Sequence, residues 1–163
     1  MISLSDTVTY TDDFLRIREV GDWDNALNGL QIENSGRVTR LGAAVDVSTR
    51  VLTEAAKRNV DLLIVHHGLF WPGLQPVRSA LRRQLQLAFE NDIALYSAHL
   101  PLDIHPKVGN NAQLVAALGL PLGVRSRQRG IAAFESADMS AHSIDAKTRT
   151  HSQSYRETRR TVS

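Results

Sequence analysis

The chain contains no cysteine. This one absence excludes disulfides, thiolate metal ligands and cysteine nucleophiles, so any metal must be held by nitrogen and oxygen. There is no run of about 18 apolar residues, and the amino terminus, "MISLSDTVTYTDDF", has neither a basic n-region nor an apolar h-region. A soluble, cytoplasmic protein is the expectation. No Walker loop, no GxGxxG loop and no internal repeat occurs. The 163 residues, 42% hydrophobic and 22% charged, suit one ordinary globular domain rather than a fibrous or disordered chain.

Excess charge of either sign is also missing from most of the chain. The net charge of +2 divides into 11 Lys and Arg against 13 Asp and Glu over residues 1–124, and 8 against 4 over residues 125–163. The basic character therefore belongs to the tail, which is dense in Ser, Thr and Arg and carries one aromatic after Phe134. That tail reads as loop or disorder. Nucleic acid is an unlikely partner on these grounds.

What is present is a regular alternation. Phe14, Leu15, Ile17 and Arg18 suggest a short helix with Thr11 and Asp12 as caps. "NGLQIE" reads as a short extended piece. "VTRLGAAVDV" (38–47) is a strand, and "STRVLTEAAKRN" is a helix with Ser48 as N-cap and Val51, Leu52, Ala55 and Ala56 on one face. "DLLIVHH" is a strand. "SALRRQLQLAFEND" spaces Leu81, Leu85 and Phe89 by four as a helix, and "IALYSAH" returns as a strand. "NNAQLVAALGL" closes as a helix, with Asn110 and Asn111 as caps and Gly119 just past its end. The order predicts an α/β fold, a mainly parallel sheet with covering helices, over residues 1–124.

Ligands of such sheets bind beyond the carboxyl ends of the strands. Two polar clusters fall there: His66 and His67 end one strand, and the next runs into "HLPLDIHP", with His99, Asp103 and His105. Adjacent side chains of a straight strand point to opposite faces, so His66 and His67 need a backbone turn to share a site, for which Gly68 offers the freedom. Pro101 argues against a regular strand through "HLPLD" and places Asp103 on a loop. A carboxylate bridging two cations, with one histidine on each, suits a pair of divalent metals. The competing structural readings are a hydrogen-bonded core histidine, packing or subunit contacts for Phe70 and Trp71, and a cap for Asp46.

"NGLQIE", "IVHHGLFW" and "HLPLDIHPKVGNNAQLVAALGL", in order over residues 25–122, resemble successive motifs of the dinuclear-metal-centre hexameric proteins known as type 2 homologues of GTP cyclohydrolase 1. The resemblance implies the amino-terminal portion of that α/β fold, a toroidal homohexamer, and two divalent cations whose identity stays open among Zn, Fe, Mn and Mg. His66, His67 and Asp103 match family metal ligands, and His99 matches a further histidine of the same motif.

Family members are longer and add a carboxyl-terminal HxxxE element that completes the sites. Here His142 is followed by "SID", His151 by "SQSY", and Glu157 lies six residues on. The motif pattern stops near Val124, so a truncated or frame-shifted product with weak, partial metal binding is expected. Two function classes follow. One is a metal-dependent hydrolase, GTP cyclohydrolase-like by family, with His99 or His105 as a catalytic proton shuttle. The alternative is a non-catalytic metal-binding assembly or an inactive product. Nothing before the tail reads a guanine or a triphosphate.

Overall fold

Four strands form the sheet that organises the molecule, in the order β2–β6–β5–β4. They are β2 (Gly29–Ile32), β4 (Leu41–Asp46), β5 (Leu62–His67) and β6 (Ala94–Ser97). The computed structural model describes residues 2–119; the tail 125–163 lies outside them. β5 is parallel to both its neighbours, with Leu62 opposite Leu41 on one side and Ala94 on the other. β2 alone is antiparallel, pairing Gly29 with Ser97. The fold is α/β with a mainly parallel sheet.

The continuous apolar run of β5 follows from burial on both faces. Leu63 and Val65 join Leu95, Leu52, Ala55, Leu81 and Ala88 in a core under helices α2 (Thr49–Lys57) and α3 (Ser79–Glu90). Leu62, with Ala94 and Tyr96 of β6, joins Leu4 and Leu15 of α1 (Leu4–Leu15) on the other face. Each such fully buried aliphatic side chain stabilises by roughly 1.5–3 kcal/mol. Tyr96 is fully buried, and its hydroxyl donates to Asp12 Oδ1 at 2.6 Å.

Local signals set several elements as expected. Ser48 caps α2, its Oγ accepting from Val51 N–H at 3.1 Å, and Gly119 has the left-handed φ of 65° suited to the residue past α5 (Asn110–Ala117). Elsewhere the structure corrects the reading. The first helix starts at Leu4, capped by Ser3, which accepts from Asp6 N–H at 3.0 Å; Thr11 and Asp12 lie inside it, and Thr11 donates back to the Thr7 carbonyl. The strand drawn over 38–47 is two, β3 (Arg37–Val38), which pairs with β1 (Ile2–Ser3), and β4. Between them Asp61 Oδ2 accepts from both Thr39 and Arg40 N–H at 2.7 Å. Phe89 is exposed, and Ala88 takes the core position in α3. "HLPLD" is a one-turn helix, α4 (Leu100–Asp103), because proline fits the first turn of a helix, where its missing N–H costs nothing.

Candidate metal centre

β5 outruns its neighbour. Pairing with β6 ends at Val65 opposite Ser97, so His66 and His67 overhang the carboxyl edge, where the chain leaving β6 turns through Ala98 and His99 into α4. Three imidazoles gather there. The ring centroids of His66 and His67 are 4.6 Å apart, those of His66 and His99 4.7 Å, and those of His67 and His99 5.5 Å. One ligand atom from each lies within 4.8 Å of the others, the one such group among the described residues.

Gly68 does not supply the expected turn. Its φ is not positive, so the left-handed freedom of glycine is not used there, and β5 stays paired with β4 through His67 opposite Asp46. A Cβ there would meet the side-chain amide of Gln31, which would have to move from its present position. That amide accepts from Leu69 N–H at 2.8 Å and donates to the Leu27 carbonyl at 2.7 Å, stitching the loop after β5 to the entry of β2.

The three rings share one hydrogen-bonding pattern. His66 Nδ1 is 3.1 Å from the Ala98 carbonyl, His67 Nδ1 is 2.7 Å from Asp46 Oδ1, and His99 Nδ1 is 2.9 Å from Asp22 Oδ1. A carbonyl or carboxylate beside Nδ1 assigns the proton to that nitrogen and leaves a lone pair on Nε2. Metal-binding histidines are oriented in this way by their outer partners. His66 Nε2 is also 3.7 Å from Asp103 Oδ2, while Asp103 Oδ1 accepts from Asn110 Nδ2 at 2.6 Å. Asn110 therefore holds Asp103; Gly109, not an asparagine, is the N-cap of α5.

The Asp22–His99 pair is the most enclosed part of the site, with side-chain exposures of 6% and 12%. Burial pushes the Asp22 carboxyl up, but hydrogen bonds from Asn28, His99 and the Trp23 and Leu100 backbone outweigh it and hold the group below its ordinary range. Asn28 donates to Asp22 Oδ2 at 2.8 Å, and its carbonyl accepts from His99 N–H at 2.7 Å. Trp71 closes one side, its ring 4.5 Å from His99 and 5.0 Å from His67.

His66, His67 and His99 thus come together at one rim, with Asp103 beside His66. His105 does not join them. Its Nδ1 accepts from Lys107 and Val108 N–H at 3.2 and 3.1 Å, and its ring lies against Phe14 with centroids 4.4 Å apart, so it serves the turn after α4. The residues that sequence reasoning missed are Asp22, Asn28 and Gln31. The available signal was the pair of amides in "NGLQIE", polar groups bracketing a glycine in an otherwise apolar strand. Asp46 is neither a helix cap nor part of the cluster but the acceptor for His67.

An α/β sheet with a histidine-rich centre beyond its parallel strand ends defines the class of protein. The profile of the family described as Duf34/NIF3 (NGG1p interacting factor 3) matches residues 2–152, and the chain belongs to this family. The match continues past Val124, where the recognisable motifs stop. A GTP cyclohydrolase 1 type 2 homolog of Archaeoglobus fulgidus is 41% identical over 118 residues, 72% of this chain and 47% of that protein. The homolog of the same name from Escherichia coli is 49% identical over 98 residues, 60% of this chain and 40% of its own. The chain spans about half the length of the curated relatives it matches. A Thermus thermophilus crystal structure superposes with a TM-score of 0.75 at 42% identity, covering 80% of this chain and 53% of that one. Reduced HcgD from Methanocaldococcus jannaschii gives 0.66 at 28% identity, over 76% and 50%.

Proposed function

We propose that this chain binds a divalent cation through His66, His67, His99 and Asp103, and that the cation serves a hydrolytic reaction. The observation that carries the reading is the common pattern of the three imidazoles: each spends Nδ1 on a fixed acceptor and keeps an Nε2 lone pair for a ligand. The donor set fits. Three neutral imidazoles and a carboxylate are the ligand types of nitrogen- and oxygen-bound zinc, iron or manganese, and three protein ligands with room for water are the usual catalytic arrangement.

A divalent cation held by these residues would supply Lewis-acid chemistry, activating water near neutral pH and polarising a scissile group. The chain's own residues prepare for that. Asp46 and the Ala98 carbonyl fix the tautomers of His67 and His66, Asn110 turns one oxygen of Asp103 towards the cluster, and Asp22 fixes His99. The last point favours His99 as a third imidazole ligand over its alternative role as a proton shuttle. Three convergent imidazoles with one carboxylate beside His66 suit one cation better than two, so binding of one cation is proposed. The second cation and the homohexamer implied by the family resemblance are further proposals.

Metal content by mass spectrometry after exhaustive dialysis tests this. About one retained equivalent per chain, lost in His67→Ala and His99→Ala, is the expected result. No retained metal in the folded wild-type chain sinks the reading, and two tight equivalents show that other residues complete a dinuclear site. Loaded protein that turns over neither GTP nor other hydrolysable substrates, while His67→Ala still releases metal, favours the non-catalytic metal-binding alternative.

A further inference from the structure

Trp71 stands against the candidate metal centre without being one of its donors. Its ring centroid is 4.5 Å from that of His99, in an edge contact, and 5.0 Å from that of His67. His66 and Asp103 occupy another flank of the same pair: the His66 ring lies 4.6 and 4.7 Å from those of His67 and His99, and Asp103 Oδ2 is 3.7 Å from His66 Nε2. An indole donates one N–H and has no lone pair to offer a cation. Trp71 therefore contributes bulk and apolar surface only. Its loop is anchored on both sides. Leu69 is buried in the core and Phe70 packs against it, the Phe70 carbonyl accepts from Gly73 N–H at 2.8 Å, and Pro72 restricts the backbone of the residue before it.

We infer that Trp71 is a positioning residue that keeps the coordination number of a cation at this site low, so that the site suits a four-coordinate cation of the zinc class over a six-coordinate one such as manganese or magnesium. The inference rests on the divalent-cation reading above. Zinc is satisfied by four ligands, and three imidazoles with one carboxylate beside His66 supply up to that number. Manganese and magnesium complete octahedral shells, largely of oxygen and commonly with several waters. Those waters need room, and the apolar shell around a metal site controls where solvent can stand. The indole against His67 and His99 removes that room on one flank. It also limits how far the two rings can swing apart, which matters most for His67, the more exposed of them at 35% against 12%.

Cobalt(II) is the probe, because its visible absorption is strong in four-coordinate sites and weak in six-coordinate ones. An equimolar addition to the full chain should give the strong band, and His67→Ala should lose it. Trp71→Ala, checked for fold by circular dichroism, should convert the spectrum to the weak six-coordinate form, while Trp71→Phe, which keeps an apolar ring in place, should retain the wild-type band. Zinc outbinds manganese at almost any nitrogen and oxygen site, so the second reading is the change in their affinity ratio: Trp71→Ala should lower it about tenfold. If Trp71→Ala does not fold, Trp71→Gln, which fills more of the space yet admits water, replaces it. A six-coordinate spectrum in wild type overturns the inference, as does a wild-type spectrum and metal preference in a folded Trp71→Ala or Trp71→Gln chain; both results leave cation binding itself standing. A folded wild type that takes up no cobalt, zinc or manganese overturns the divalent-cation reading and this inference with it.

Discussion

His99 Nδ1 sits 2.9 Å from Oδ1 of Asp22, 77 residues away in the chain, and the carboxylate is the more buried of the two. Four donors converge on Asp22, so its charge is fixed and its acceptor face towards His99 is permanent. Asp22→Asn removes the charge and can present an N–H to the ring. The imidazole then has reason to move its proton to Nε2, which takes the lone pair out of the cluster. The expected outcome is a change of His99 tautomer, read by nitrogen-15 chemical shifts, with a loss of metal affinity of about 10- to 100-fold. The fold should survive at a cost of about 1–3 kcal/mol. An unchanged tautomer with unchanged affinity would remove Asp22 from the site.

A second carboxylate acts on the sheet instead of the site. Asp61 accepts from Thr39 and Arg40 N–H at the point where β3 ends and β4 begins. Burial raises its pKa, but these backbone bonds, a Thr39 hydroxyl bond and the Arg40 charge prevail and lower it from the ordinary value of 3.8. A lowered folded pKa stabilises fully above the unfolded value, and that contribution is lost as pH falls through the folded value. Urea midpoints of wild type and Asp61→Asn should therefore differ most near about pH 6 and converge towards about pH 3. A gap independent of pH would show that the ionisation of Asp61 contributes nothing.

What the sequence disclosed was local. Ser48 with the apolar face of α2, the buried run of β5 and the αL glycine at 119 each carry their signal within a few residues. The misplacements have physical causes of the same range. Ser3 caps α1 too near the terminus to be preceded by a contrasting segment, and Pro101 was read as a strand breaker where it opens a helix. At the candidate site, the proximity of His66, His67 and Asp103 was legible because they lie in consecutive strand-end motifs. The carboxylate behind His99 was not, since no period or spacing links position 22 to position 99. Asn110 was assigned to the helix it begins because the sequence cannot show that Asp103 competes for its side chain.

Gly109 links the end of α4 to the start of α5. Its φ of −65° is open to any residue, but a Cβ would lie 2.5 Å from the carbonyl oxygens of Asp103 and His105 and 2.7 Å from that of Leu102. These are backbone atoms and cannot swing aside. Gly109→Ala must push α4 away from α5, at a cost of about 1–3 kcal/mol, and it should disturb the Asn110–Asp103 bond. Lower thermal stability together with weaker metal binding is expected. Lower stability with wild-type affinity would mean that Asp103 is not a ligand.

His105 separates the two histidines that the HLPLDIHP motif leaves equivalent. It is buried, its Nδ1 accepts two backbone N–H groups, and its ring packs on Phe14 of α1. His105→Ala strands those two donors and opens a gap beside Phe14, so a loss of about 2–4 kcal/mol is expected. Metal stoichiometry and affinity of the folded fraction should stay at wild-type levels, whereas His99→Ala should lower affinity with a smaller effect on stability. Isothermal metal titration alongside thermal melts of the two variants gives both readings. Loss of metal binding in a His105→Ala protein that remains folded would place His105 in the site after all and return it to the role of proton shuttle.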